Sequence, residues 1–275
     1  MSPDQHRVLF CRANDEFTTY EIFESRLDAA GHWSPPARPS FATAGSNADP
    51  HFSPDGMTVY FISDRPIPGD TEPPSPDIYR ARLGADGSWG SAERLPAPIN
   101  LPGTEEWSPS VAANGDLYFG SNRPGGQGDG DFDLYVARWV NDHYVAPQNL
   151  GPSLNTAAQE VEPWIAPDQS YLIFSARGRP DSTGRYDLYL SRRGTAGWQP
   201  AVPLTLVNSP AMELNHSVSP DGAWFYFSSN RSYQGPLGDR LDWPLRPEAV
   251  TGIGDGRKGD IYRLPMSAIL QQVTR

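Results

Sequence analysis

One signature recurs five times along this chain: a polar tetrapeptide turn followed by an aromatic-rich stretch. Ser53-Pro54-Asp55-Gly56 precedes Met-Thr-Val-Tyr-Phe, and Ser219-Pro220-Asp221-Gly222 precedes Ala-Trp-Phe-Tyr-Phe. Degenerate copies open at Ser2, Ala112 and Ala166, so the successive spacings are 51, 59, 54 and 53 residues. In such a turn proline presets φ, Asp bonds the local backbone and Gly accepts a left-handed φ, which reverses the chain between antiparallel strands. A regular period of this length marks supersecondary units that bury their faces against one another.

Three further columns keep register with the turn. A Ser-x-Arg element ends the next strand, at Ser63/Arg65, Ser121/Arg123, Ser175/Arg177 and Ser229/Arg231. An acidic residue then opens a third strand at Glu21, Asp77, Asp133, Asp187 and Asp260, and an aromatic starts a fourth at Trp33, Trp89, Tyr144 and Trp198. Four short strands per unit make one propeller blade. The expectation is an all-β β-propeller spanning 1–275 as one domain, with five four-stranded blades at approximately 1–46, 47–105, 106–159, 160–212 and 213–275. Six blades is the alternative if a segment is missing. The aromatic columns are then inter-blade core. From Asp15 to Leu27 the apolar residues fall at helical spacing, but the repeat register places a strand at Glu21-Ile22-Phe23. The tail from Ser267 suits a final strand or a helical turn.

Composition agrees with short strands and many turns, since 29 prolines and 26 glycines are too many for a helical protein. No run of 18 apolar residues exists to span a bilayer as a helix. The net charge of -11 repels phosphate backbones, so nucleic acid is excluded as a partner, while cationic partners, metal ions and neutral sugars stay open. The single cysteine, Cys11, leaves the compartment undecided and reads as a small buried strand residue. No charged and apolar leader follows Met1.

The order Ser-Pro-Asp-Gly, Tyr-Phe-x-Ser-Asn-Arg, Asp-Ile-Tyr resembles the WD40-like repeats of TolB-type propellers. Asn155-x4-Glu160 before Pro163-Trp164-Ile165-Ala166-Pro167-Asp168 further resembles repeats found beside OmpA-like domains in bacterial envelope proteins. The resemblance implies a periplasmic or secreted protein with a partner-binding role, although nothing in the residues excludes the cytoplasm. This chain departs from TolB in lacking a preceding α/β domain and in having about five repeats rather than six. Its first repeat begins at the turn, so the innermost strand of that blade is either supplied by the C-terminal segment or missing.

Function is expected on the face carrying the long loops, Pro66–Pro76 and Tyr233–Gly259, because loops on a rigid scaffold host binding and catalysis. Aligned on the turn, Asn47, Glu106, Glu160 and Glu213 share a column at the start of the innermost strand. Two residues on come Asp49, Ser108, Glu162 and Asn215, with His51 and His216 close by. Together Asn47, Asp49, His51, Glu106, Glu160, Glu162, Glu213 and His216 are the candidate ligand-binding set at the channel mouth. Hard oxygen donors from Glu106, Glu160 and Glu213 could hold Ca²⁺, although no cofactor is firmly implied. Glu106, Glu160, Glu162 and Glu213 could instead supply paired acids for a carbohydrate-active hydrolase or lyase.

The bland alternative pairs each Glu with an Arg of the Ser-x-Arg column, because a residue repeated in every blade belongs to the scaffold. That Arg column is itself expected to pair with the acid opening the third strand. Asp129-x-Asp131-x-Asp133 lacks the Gly and Glu of an EF-hand loop, and Gly252–Lys258 lacks the strand-loop-helix context of a phosphate loop. The leading expectation is therefore a non-enzymatic module binding a protein or glycan partner.

Overall fold

Each tetrapeptide closes a tight turn by the chemistry its residues bring. In the second copy Gly56 N donates to the Ser53 carbonyl across 2.8 Å, and Met57 N donates to Asp55 Oδ1 across 2.9 Å. Gly56 sits at φ +74°, whereas Gln5 and Gln169 hold the same turn position at φ 61° and 58° without a glycine's freedom. That conformation costs an ordinary L-residue about 1–2 kcal/mol, which the flanking strand pairs offset.

The computed structural model describes residues 1–14, 18–42, 45–67, 69, 74–127, 131–231 and 260–273. The N-terminal sheet pairs β1 (Arg7–Ala13) with β2 (Tyr20–Arg26). The next is β3 (Asn47–Phe52), β4 (Thr58–Ser63), β5 (Asp77–Arg82) and β6 (Glu93–Arg94), in that order. A third runs β7 (Glu106–Val111), β8 (Leu117–Ser121), β9 (Asp133–Ala137) and β12 (Gln148–Asn149), with a small hairpin of β10 (Trp139–Val140) and β11 (His143–Tyr144) before β12. A fourth comprises β13 (Gln159–Ile165), β14 (Tyr171–Arg177) and β15 (Asp187–Gly194), edged by β16 (Gly197–Trp198) and β17 (Val202–Pro203). The last joins β18 (Glu213–Val218), β19 (Trp224–Ser229) and β20 (Asp260–Pro265) and continues into α1 (Met266–Gln272).

All strand ladders are antiparallel, and the architecture is an all-β propeller. Its blade count corrects the expectation of five four-stranded blades, or six. Four blades are opened by an innermost strand, at β3, β7, β13 and β18, and β1–β2 is a two-stranded pair beside them. Outward of β2, among the described residues, the pairing is limited to the single bridges Glu24↔Ala37 and Leu27↔Trp33. Pro35, Pro36 and Pro39 have no N–H to donate, which prevents a regular fourth strand there. The blade opened by β18 has three strands because Met266–Gln272 is made of helix-favouring residues and forms α1 in place of a fourth strand.

Two other expectations shift. Trp33 and Trp89 form isolated bridges, and Tyr144 and Trp198 lie in short hairpins, so the fourth strands run a few residues downstream at β6, β12 and β17. Tyr20–Arg26 is a strand, as the repeat register required, despite its helical spacing. Residues 15–17, residues 68 and 70–73 of the loop between β4 and β5, and the insertion 233–259 with its glycine-rich 252–258 lie outside the described residues.

Period-two alternation sends neighbouring residues of the central strands into different layers. Phe61 packs with Leu9, Ile22 and Tyr79 between the β1–β2 pair and the next sheet, while Ile62 packs with Leu117 and Phe119 on the other side. Phe174 joins Tyr118 and Leu134, whereas Ile173 joins Phe225, Met266 and Ile269. Each such buried aromatic or aliphatic side chain stabilises by roughly 1.5–3 kcal/mol. The blades are thus glued face to face, leaving their innermost strands to line a channel.

Candidate binding site in the central channel

The two candidate columns at the start of the innermost strands separate into a scaffold set and a channel set. Glu106, Glu160 and Glu213 are fully buried, and Asn47 is nearly so. Arg123 Nη2 donates to Glu106 Oε1 at 3.2 Å, Arg179 Nε to Glu160 Oε1 at 2.9 Å and Arg231 Nη2 to Glu213 Oε1 at 2.8 Å. In the β3 blade Arg65 Nη2 donates to Asn47 Oδ1 at 2.8 Å. Each of these guanidinium groups also covers a pair of aromatic rings on the second and third strands, as Arg179 does at 4.9 Å from Phe174 and 4.6 Å from Tyr189. Burial raises the pKa values of Glu106 and Glu160, and their Thr and Arg partners oppose the shift.

The arginines therefore join the Glu column rather than the acid that opens the third strand. Asp77 is held instead by Arg94, Asp133 by Asn149 and the Gln127 N–H, and Asp187 by the Thr183 and Gly184 N–H groups. In the β13 blade the pairing residue is Arg179, not Arg177.

The second column has a different geometry. Register shifts break the ladders between Ala48 and His51, Trp107 and Ser110, Val161 and Trp164, and Leu214 and Ser217. At each bulge one residue takes a left-handed conformation: Asp49 at φ 51°, Ser108 at 51°, Glu162 at 55° and Asn215 at 50°. A bulge re-aims a side chain out of the sheet's alternation, and here the bulges of neighbouring blades meet in pairs. Ser108 Oγ donates to Asp49 Oδ2 across 2.6 Å, and the Asn215 N–H donates to Glu162 Oε2 across 2.8 Å. Ser175 Oγ donates to the same Glu162 oxygen at 2.8 Å. The bulge repeats in every blade and is architecture; the side chains it presents differ from blade to blade, and that asymmetry is where specificity resides.

Glu162 stands out electrostatically. Burial, reinforced by the negative charge of Asp49, raises its pKa to about 7, and the Asn215 and Ser175 hydrogen bonds only partly oppose this. Burial likewise raises Asp49, against the Ser108 hydrogen bond. His216 presents Nδ1 at 4.0 Å from Glu162 Oε2, its side chain is 1% exposed, and neither ring nitrogen has a well-formed hydrogen bond. Burial lowers its pKa to about 4, so the imidazole is neutral at physiological pH. His51 is lowered by burial to about 4 as well. Cys11 corrects the expectation of a buried residue: it is exposed, near the Asp49 backbone.

Beside Glu162 lies a pocket of about 140 Å³ lined by Trp107, Phe132, Gln159, Val161, Tyr186 and Leu214. Trp107 and Phe132 meet edge to face at 5.6 Å. Phe132 and Tyr186 end the connections between second and third strands, on the face where the long loops were expected to carry function. These aromatics were not among the candidates. A signal existed, because Tyr20, Phe132 and Tyr186 all immediately precede the acid that opens a third strand. A larger outer groove of about 310 Å³ contains Glu24, but that carboxylate is already engaged by Arg7, Arg26 and the Trp89 indole. Among the described residues no group of three or more His, Cys, Asp or Glu is placed to hold a metal ion.

The sequence matches no protein-family model and no curated protein. Among solved structures the chain is similar to TolB from Acinetobacter baumannii, with a TM-score of 0.52 and 18% identity over 84% of this chain and 47% of that one. A chain of a nidogen/laminin complex gives a TM-score of 0.51 and 12% identity, over 82% of this chain and 70% of that one. At these identities the likeness extends to the propeller fold alone, and this chain spans about half the length of the TolB chain.

Proposed function

We propose that the chain is a non-enzymatic binding module that takes part of a protein or glycan partner into its channel mouth. The observation that carries this reading is the pocket in which Trp107, Phe132 and Tyr186 line the same space as Glu162, one of four bulge residues that differ from blade to blade. Aromatic faces supply contact area at low entropic cost, and a few fixed polar groups supply orientation, which is the usual composition of a recognition site. The nidogen/laminin neighbour shows a propeller in a protein–protein complex, which is consistent with this role. A setting in the bacterial envelope is proposed on the repeat resemblance alone.

The second reading, a carbohydrate-active hydrolase or lyase, rests on Glu162. An acid held near pKa 7 suits general acid catalysis, and Asp49 is a second carboxylate nearby. Glu106, Glu160 and Glu213 favour it less, since each is committed to an arginine. A thermal-shift screen of the purified chain against oligosaccharides, peptides and divalent ions, including Ca²⁺, separates these outcomes, because selective binding to the native state raises Tm. Binding without turnover supports the module. Release of reducing ends that Glu162→Gln abolishes would replace it with the enzyme.

A further inference from the structure

The carboxylates of this propeller fall into two classes. Glu106, Glu160 and Glu213 each have a guanidinium within 3.2 Å. Glu162 and Asp49 have hydrogen bonds from Ser175, Asn215 and Ser108, but among the described residues no Lys or Arg forms an ion pair with either. Arg177 stands 6.0 Å from the Tyr186 ring centroid and makes no ion pair with Glu162. Among the described residues the basic side chain that approaches Glu162 is His216, a buried imidazole whose Nδ1 lies 4.0 Å from the carboxylate. Its burial disfavours the charge that would neutralise Glu162 from within. Among the described residues, then, Glu162 bears the negative charge of Asp49 with no Lys or Arg to offset it.

The pocket's walls suit a particular completion. Trp107, Phe132 and Tyr186 line it together with Glu162, and aromatic faces attract a cation most where water is excluded. With a volume of about 140 Å³ the pocket has room to admit a cationic side chain.

We infer that the channel pocket receives a cationic side chain of the lysine or arginine class from a protein partner, with Glu162 as its counter-ion, Asp49 as the second negative charge and Trp107, Phe132 and Tyr186 as its aromatic wall. This inference rests on the binding-module reading and narrows it to a basic peptide. The net charge of -11 acts in the same direction, steering a basic segment toward the channel from a distance.

The test is calorimetric titration and thermal shift of the intact chain with N-acetyl-lysine-methylamide, its arginine counterpart and the neutral norleucine isostere. The two cations are expected to bind and raise Tm at pH 8, and norleucine is not. Glu162→Gln should weaken cation binding at least tenfold while the circular dichroism spectrum is retained, and Trp107→Ala should weaken it in the same assay. Asp86→Asn, in an exposed turn, should bind as the parent does. Cation binding should weaken below pH 7 as Glu162 takes up a proton, with Asp49, Tyr20, Tyr186 and His216 the other titratable groups facing it. Equal binding of norleucine and lysine, or unchanged binding by Glu162→Gln, would overturn the inference and leave the binding module standing. So would binding of neutral oligosaccharides alone. Silence of every probe, with no protein or glycan retained by the immobilised chain, would overturn both.

Discussion

Arg179 Nε donates to Glu160 Oε1 across 2.9 Å, and both side chains are buried, at 6% and 0% exposure. The same guanidinium holds the Leu154 carbonyl and covers Phe174 and Tyr189. One side chain therefore ties the innermost strand of its blade to the segment before it and to the aromatic pair on the next two strands. Equivalent groups at Arg65, Arg123 and Arg231 do this in the other blades. The arrangement repeats because every blade faces the same problem: its inner strand must be anchored before the next sheet can pack on it.

Glu160→Ala is expected to destabilise the fold by about 3–5 kcal/mol, because it leaves a buried guanidinium without its charge partner. Arg177→Ala, two residues from the true pairing position, is expected to change stability by less than about 1 kcal/mol. Urea unfolding of the two variants checks this. Comparable losses for both would show that the ion pair does not organise the blade.

The repeat columns made the scaffold legible, and the limits of that legibility are physical. Alignment on Ser175 placed the blade's arginine at Arg177, as the other three blades require. Gly178, at φ +88°, turns the chain and delivers Arg179 to Glu160 instead. A conformational detour of one glycine is invisible to column counting. The column of Asp49, Ser108, Glu162 and Asn215 was readable, but its bulge was not, because no glycine marks those left-handed positions. The aromatic wall was missed because aromatics in a propeller are expected between blades, and only the packing shows that Trp107 and Phe132 line the channel pocket instead. The blade count failed at the first repeat, where β1 and β2 form a two-stranded pair and prolines interrupt the outer strand.

Asp187 accepts hydrogen bonds from the Thr183 and Gly184 N–H groups and is fully buried. Removing the carboxylate leaves these donors short of a partner, so Asp187→Ala should cost about 1–3 kcal/mol. Gly184 is constrained from the other side, since a Cβ there would meet the carbonyl oxygens of Ser209 and Ala211. Gly184→Ala should therefore destabilise as well, through displacement of the segment leading to β18. A shift within about 0.5 kcal/mol for Asp187→Ala, read from the urea midpoint, would mark it as an ordinary surface acid.

His216 carries an acid-side prediction. Its folded-state pKa of about 4 lies below the ordinary value of 6.5, so the unfolded chain binds the extra proton between these values. The stability it contributes is present above pH 6.5 and is lost as pH falls toward about 4. His216→Leu keeps an apolar side chain against Phe225 and removes the titration. The variant's stability should fall less steeply across this window, by on the order of 2 kcal/mol. Identical slopes in parent and variant, measured by urea unfolding at half-unit pH steps, would show that His216 charges freely in the folded state.

Glu162 works in the opposite sense, and the two groups together set the pH response of the channel. Its folded-state pKa of about 7 lies above the ordinary 4.5, so here the folded chain binds the extra proton, and stability falls as pH rises from 4.5 through 7. Glu162→Gln removes the charge while its amide oxygen can still accept from Ser175 and the Asn215 N–H. At pH 8 the variant should exceed the parent by about 1–3 kcal/mol, and the gap should close by pH 4.5. A gap that stays constant with pH would mean that Glu162 ionises as a solvated acid does. The gain at pH 8 is the strain that the native protein carries to keep an uncompensated carboxylate in its channel. It also sets a ceiling on how much of a cation's binding energy comes from relieving that strain, so the variant's stability and its loss of cation affinity are two readings of one interaction.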